Sequence, residues 1–205
     1  MPVIVVANPK GGVGKSTLST NLAGYWAHQG RAVMLGDTDR QQSARSWLAQ
    51  RPAQLPRIRT WEAKHDSVVR PPKGTTHVVL DTPAGLHGKR LGEVMKLADK
   101  VLVPLQASLF DINATHAFVR ELLALRRGGE PSLALLGMRL REGTIAAEQL
   151  RSFLATFGVP VLGALRDTQN YVHLAARGLT LWDVAPGRVA RDLEQWQAIT
   201  TWADA

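Results

Sequence analysis

"VIVVANPKGGVGKST", residues 3–17, is the stretch on which the fold turns. Residues 3–7 form a short, β-branched apolar run, the mark of a buried strand. A glycine-rich turn follows at once. Residues 15–29 then read as a helix that stops at Gly30. A phosphate-binding loop of the pattern G-x-x-x-x-G-K-[ST] needs this order of strand, turn and helix. The match is nevertheless imperfect. Pro9 stands where the first glycine belongs, and a second lysine, Lys10, sits just inside the loop.

The chemistry of such a loop follows from its residues. Gly11, Gly12 and Gly14 let backbone N–H groups converge on phosphate oxygens, and the helix N-terminus adds partial positive charge. Lys15 is expected to reach the β- and γ-phosphates of a nucleotide, and the Ser16 hydroxyl to bind Mg²⁺. The expected nucleotide-contacting set is Lys10, Gly11, Gly12, Val13, Gly14, Lys15, Ser16 and Thr17. A glycine turn with incidental lysines is the plainer alternative, and the position at the first strand–helix junction argues against it.

The same rhythm continues along the chain. Further strands are expected at 32–37, 57–61, 77–81, 100–105, 132–140 and 159–165. Helices are expected at 42–50, 111–127, 145–157, around 168–177 and at 188–203. Short unalternated strands separated by helices predict an α/β fold: a mostly parallel twisted sheet with helices on both faces. Ligands of such folds lie beyond the carboxyl ends of the strands. No repeat or linker divides the chain, so a single domain over 1–205 is expected.

With 45% hydrophobic and 20% charged residues, the composition is globular. No apolar run approaches the length of a membrane span, and the N-terminus lacks the basic lead and cleavage site of a signal peptide; a cytoplasmic protein is expected. The absence of cysteine excludes disulfides, thiolate catalysis and iron–sulfur clusters. The six histidines lack ligand spacing and read as structural or surface groups. The net charge of +8 suggests a polyanion partner, although many basic proteins are merely soluble.

Three carboxylates suit a phosphate site. Asp81 ends the strand "HVVLD", where a metal-organising aspartate belongs. Asp37 and Asp39 end "AVMLGDTD"; two apart in an extended segment, they would point the same way. One could support Mg²⁺ through water and the other position the attacking water. Both could instead be turn formers or helix caps.

At these residues the sequence resembles the ParA/MinD family of P-loop NTPases. "KGGVGKST" looks like its deviant Walker A motif, "DTDRQQSA" like its "DxDPQ" segment, and "HVVLDTPAG" like its Walker B stretch. "PLQASLFDINA" (104–114) and "LRDTQNYVHLAARGLTLWD" (165–183) also resemble family segments, so the likeness covers most of the chain. The resemblance implies an ATPase in which Lys10 is the signature lysine, reaching across a sandwich homodimer to the partner's nucleotide. Lys15 then corresponds to the ordinary Walker lysine, Asp39 to the residue implicated in hydrolysis, and Asp37 and Asp81 to Mg²⁺ organisation. The implied catalytic set is Lys10, Lys15 and Asp39; the metal set is Ser16, Asp37 and Asp81. Arg40 and Ala84 replace prolines of the family pattern, in segments expected to respond to the γ-phosphate.

Within the family, short ParA proteins without an N-terminal helix-turn-helix domain fit best, because the loop begins ten residues in. They imply ATP/ADP with Mg²⁺, nonspecific DNA, a ParB-like or other cargo-adaptor protein and a nucleoid location. Lys64, Arg166, Arg177, Arg188 and Arg191 are the candidate DNA contacts. They belong to two basic groups, at 40–73 and near the C-terminus, that could equally be ordinary solvated residues. Two alternatives remain: a MinD-like membrane-associated regulator and a small-molecule ligase of the dethiobiotin-synthetase type. The last helix has the apolar stripe Val189, Leu193, Trp196, Ile199 and Ala203. Its other face carries Asp192, Glu194 and Asp204 with Arg191, which suits packing better than anionic lipid, so no membrane contact is expected.

Overall fold

The strands are short and apolar on both sides, and they assemble into one fully parallel sheet. A computed structural model describes residues 1–39, 41–61, 71–126 and 131–205. Its strands are β1 (Val3–Val6), β2 (Val33–Asp37), β3 (Ile58–Trp61), β4 (His77–Asp81), β5 (Lys100–Gln106), β6 (Ser132–Leu140) and β7 (Val161–Arg166). They lie in the order β3-β2-β4-β1-β5-β6-β7, and every pairing is parallel. The expectation of a mostly parallel sheet is thus met in its stricter form. The order makes β1 central, so the glycine loop that leaves it opens in the middle of the sheet's carboxyl edge.

Helices cover both faces: α1 (Lys15–His28), α2 (Ser43–Ala49), α3 (Gly88–Met95), α4 (Leu109–Leu125), α5 (Ile145–Leu154), α6 (Gln169–Ala175) and α7 (Pro186–Asp204). Alternate residues of one strand serve opposite cores. Ile4 and Val6 pack with Leu18, Leu22 and Trp26 of α1, Trp47 of α2 and Trp196 of α7. Val3 and Val5 join Leu91 and Val94 of α3, Leu122 of α4 and Leu150 of α5. The helix α3 is absent from the sequence-based expectations. It is only eight residues long and contains Gly88 and Gly92, which suppress the helical signal, and its apolar side rests on Leu91, Val94 and Met95.

The last helix packs, and two of its acids are hydrogen-bonded to neighbouring elements. Val189, Trp196, Ile199 and Ala203 are buried. Asp192, fully buried, accepts from Arg166 Nε at 2.6 Å and Asn170 Nδ2 at 2.6 Å. Asp204 accepts from Tyr25 Oη at 2.7 Å and Trp26 Nε1 at 2.8 Å. The face that reads as acidic and solvated in sequence is therefore partly an inner face, joined to α1 and β7. Among the described residues, no helix is long and apolar enough to cross a membrane.

A buried ion pair closes the structure on the α2 side. Arg51, just beyond α2, reaches the short 3-10 turn Leu181–Asp183, where Nη1 and Nη2 donate to the Asp183 carboxylate at 2.8 and 3.0 Å. The Thr180 N–H and hydroxyl and His28 Nε2 also meet that carboxylate. Burial alone would raise the Asp183 pKa. The Arg51, His28 and Thr180 hydrogen bonds outweigh it and bring the pKa down to about 2. A depressed carboxylate contributes stability that is present above its unfolded pKa near 3.8 and lost as pH falls through about 2. This displacement corresponds to about 2 kcal/mol. Urea denaturation between pH 2 and 7 should show a steep acid limb in the wild type. In Asp183→Asn that limb should be shallower, and stability at pH 7 lower by a few kcal/mol, because the buried Arg51 loses its counter-charge. Parallel acid limbs in the two proteins would contradict this assignment.

Candidate nucleotide-binding site

The loop from Pro9 to Gly14 joins β1 to α1. Gly12 and Gly14 have φ of 73° and 98°, a left-handed backbone that glycine adopts without penalty. Gly11 and Gly12 are exposed, and nothing lies within 4 Å of where a Gly12 Cβ would be. α1 begins with neither a side-chain cap nor an acid in its first turn, so the free N–H groups and positive end of the helix face the loop. Lys15, 8% exposed, donates from Nζ to Lys10 O at 2.7 Å. Burial lowers its pKa, while the charges of Asp81 and Asp39 act in the opposite direction. Free amides, a helix N-terminus and an inward ammonium together fit a phosphate group.

The carboxylates gather beside this loop through strand register. Asp37 of β2 is paired with Asp81 of β4, and Asp81 with Val6 of β1. Asp81, 2% exposed, accepts from Ser16 Oγ at 2.6 Å and Ser19 Oγ at 3.2 Å. Its pKa is pushed up to about 7, chiefly by burial. The two serine hydroxyls oppose that shift, and the neighbouring Asp37 charge adds to it. The Ser16 hydroxyl and Asp81 carboxylate fit Mg²⁺, which prefers few protein oxygens and completes its shell with phosphates and water. Among the described residues, no cluster of three or more His, Cys, Asp or Glu could hold a metal by itself.

Asp37 and Asp39 do not share one extended face. β2 ends at Asp37, and the chain turns there. Asp37 Oδ1 accepts from Asp39 N at 2.9 Å, and Oδ2 from Ala44 N at 2.8 Å. These bonds make Asp37 a cap on α2, the plainer of its two sequence interpretations, although its charge still acts on Asp81. Asp39 Oδ1 accepts from Gln41 N at 3.0 Å, and its charge reaches Lys15. Arg40 lies outside the described residues. Ala84 meets the loop directly: its Cβ stands 4.0 Å from where a Gly11 Cβ would be. The adjacent Gly85 N donates to Pro9 O at 2.8 Å.

A cleft of about 440 Å³ opens beside Gly14 and Thr17, lined also by Arg139, Asp167, Gln169 and Tyr171. Arg139 lies near the carboxyl end of β6 and the others follow β7; none of the four is among the sequence-based candidates. Arg139 has a φ of 52°, rare for a non-glycine residue, at a register shift between β6 and β7. Their only sequence signal is position, at carboxyl ends of adjacent strands. The polar and aromatic lining suits the nucleoside part of a nucleotide.

The basic candidates separate into two kinds. Arg166 is held by Asp192, and Arg191 donates to Glu142 at 2.7 Å. Arg177 and Arg188 are exposed, and neither has an ion pair among the described residues. Lys64 lies outside the described residues. Arg51, counted in the same basic stretch, is the buried partner of Asp183 and faces no solvent partner.

Comparison with known proteins agrees with this geometry. The model of the CobQ/CobB/MinD/ParA nucleotide binding domain matches residues 4–181. The chain is similar to maintenance of carboxysome distribution protein A of Gloeobacter kilaueensis, 32% identical over 94% of this chain and 88% of that protein. It is also similar to the chromosome-partitioning ATPase Soj of Thermus thermophilus, 30% identical over 77% and 78% of the two chains. Among solved structures, a McdA variant from Cyanothece in complex with ATP has a TM-score of 0.76 at 15% identity, over 98% of this chain and 96% of that one.

The Asp81 environment makes a stability prediction. A carboxylate whose folded pKa is raised, here from 3.8 to about 7, binds its proton more tightly in the folded state. It therefore costs stability as pH rises through that interval. Without nucleotide or metal, the melting temperature of Asp81→Asn relative to wild type should rise from pH 4 to about pH 7 and level off above it. A difference independent of pH would show that Asp81 is not strained by burial.

Proposed function

The chain belongs to the CobQ/CobB/MinD/ParA nucleotide-binding family, and within it we propose a ParA-type positioning ATPase. In this reading, residues 1–205 act as one domain that binds ATP with Mg²⁺ and closes into a sandwich homodimer. The dimer binds DNA without sequence preference, and a cargo-bound adaptor, ParB-like or otherwise, stimulates hydrolysis to ADP and phosphate. The location that follows is the cytoplasm, on the nucleoid.

The observation that carries this reading is the presence of two lysines on one phosphate cradle, in different surroundings. Lys15 is buried beside Asp81 and serves the nucleotide of its own subunit. Lys10 is half-buried at the outer part of the loop, which suits a nucleotide held by a second copy. An added ammonium near the phosphates stabilises developing charge only when the two copies are closed together. ATP then favours the dimer, and hydrolysis removes the preference.

The remaining roles follow from placement. The amides of Gly11, Val13 and Gly14 cradle phosphate oxygens, and the Ser16 hydroxyl and Asp81 hold Mg²⁺, with Asp37 contributing charge. When bound there, Mg²⁺ would neutralise charge on the nucleotide's phosphates. Asp39, beyond the end of β2 and close enough to act on Lys15, orients the attacking water. The cleft at Arg139, Asp167 and Tyr171 takes the nucleoside. Arg177 and Arg188 are the better DNA contacts, because Arg166 and Arg191 already have carboxylate partners. Dimerisation doubles the number of phosphates engaged, which strengthens binding and steepens its salt dependence. The carboxysome and chromosome roles named for the relatives support a cargo-positioning cycle.

Binding to random-sequence duplex DNA tests the reading, with ATP, with ADP and without nucleotide, at two salt concentrations. Tight, salt-sensitive binding is expected with ATP alone. Lys10→Ala should abolish it while keeping ATP affinity within a few-fold. Arg177→Ala and Arg188→Ala should each lower the salt slope by about 1 for every phosphate the arginine neutralises. Binding indifferent to nucleotide would overturn the proposal.

A further inference from the structure

The loop's two lysines are anchored to different parts of the fold. Lys15 belongs to α1, which Asp81 holds through Ser16 and Ser19. The Lys10 end is held by a residue with no part in the chemistry so far. Asn8, at the end of β1, is fully buried, and its side-chain amide is bonded on both sides. Nδ2 donates to Pro104 O of β5 at 2.7 Å and to Thr115 Oγ1 of α4 at 3.0 Å. Oδ1 accepts from the backbone N–H of Lys10 at 2.8 Å. Thr115 is itself fully buried.

This arrangement also explains Pro9. Proline has no N–H and a fixed φ, so the bond from Lys10 N to Asn8 Oδ1 closes a two-residue turn around a rigid centre. The turn sets the direction in which Lys10 leaves the strand. A second bond supports the same side of the loop: Gln106 Nε2, at the end of β5, donates to Gly12 O at 2.9 Å. A buried amide with unmade bonds is costly, so simple packing after "VIVVA" would favour an apolar residue at position 8. The amide instead ties segments that lie 96 and 107 residues away in sequence to the Lys10 backbone.

We propose that Asn8 is a positioning residue for Lys10: its side chain registers the Lys10 end of the phosphate loop to β5 and α4, whereas α1 carries Lys15, and the two ends meet where Lys15 Nζ donates to Lys10 O. The inference rests on the proposed action of Lys10 across the dimer. Its consequence is a division of labour. Removing the Asn8 amide weakens ATP-dependent dimerisation and turnover and leaves nucleotide affinity nearly intact. Displacement of α4 reaches Lys10 by the same route.

The test is a double-mutant cycle on the full chain with Asn8→Ala, Lys10→Ala and the double variant. Fluorescent-ATP affinity, dimerisation by analytical ultracentrifugation with ATP, and kcat and KM separately are the readouts. Asn8→Ala is expected to lower kcat and the dimer association constant at least about tenfold, with KM and ATP affinity within about threefold of wild type. The double variant should be no worse than Lys10→Ala. Should Asn8→Ala not fold, Thr115→Val removes one bond alone and should shift the same readouts in the same direction, with recovery in Thr115→Ser. Additive losses, or equal losses in affinity and turnover, would overturn the role of Asn8 while leaving that of Lys10 standing. A Lys10→Ala variant that dimerises and turns over normally would instead remove the reading on which the inference rests.

Discussion

Asp81 holds the first turn of α1 against the end of β4, and the site's geometry depends on that link. The carboxylate is nearly inaccessible to solvent and lies next to a second carboxylate, Asp37, on the neighbouring strand. Two serine hydroxyls from successive turns of α1 and the Lys15 charge offset part of the cost. A divalent cation would relieve the rest, because it replaces a proton that burial otherwise favours. The link that orders the helix N-terminus is thus also the one poised to respond to Mg²⁺ and nucleotide. The fully parallel sheet makes this possible by bringing the ends of β1, β2 and β4 side by side.

The loop above that link is supported from two directions. α1 supplies Lys15 and the free helix amides. β5 and α4 hold the other end through Asn8, Thr115 and Gln106, beside bonds from Gly85 N to Pro9 O and from Lys15 Nζ to Lys10 O. Pro9 is a departure from the ordinary motif that strengthens the second support, because a fixed φ beside the Asn8 turn removes freedom where Lys10 begins. A two-lysine cradle with separate anchors is suited to a cycle in which nucleotide binding and dimer closure are distinct events.

Charge alone is a poor guide to the outer surface. Arg51 and Arg166 read as members of basic groups, yet each is bound to a buried aspartate. Asp192 and Asp204 read as the solvated face of the last helix, yet Asp192 is buried and paired with Arg166, and Asp204, although exposed, is bonded to Tyr25 and Trp26 of α1. Periodicity registers which side of a helix is apolar; it does not register which polar residues have partners on distant elements. Arg177 and Arg188, exposed and without ion pairs among the described residues, are available to a polyanion, as are the exposed Arg57, Arg59 and Lys73 of the earlier basic group.

The sequence by itself determined the parallel α/β class, the glycine loop at the first strand–helix junction and the identity of Lys10, Lys15, Ser16 and Asp81 as candidates. Those signals are local: β-branched runs, a glycine turn, a strand-end carboxylate. It did not reveal α3, whose two glycines mask a short apolar stripe, nor the cleft at Arg139 and Asp167. It also left open whether Asp37 makes capping bonds to a helix. Only the tertiary structure showed that Asp37 accepts from amides at the start of α2, that Arg51 and Arg166 pair with buried aspartates, and that Asn8 joins the loop to β5 and α4. The physical reason is distance along the chain. A hydrogen bond spanning about a hundred residues leaves no periodic trace in sequence, because strand order and register alone bring its two ends together.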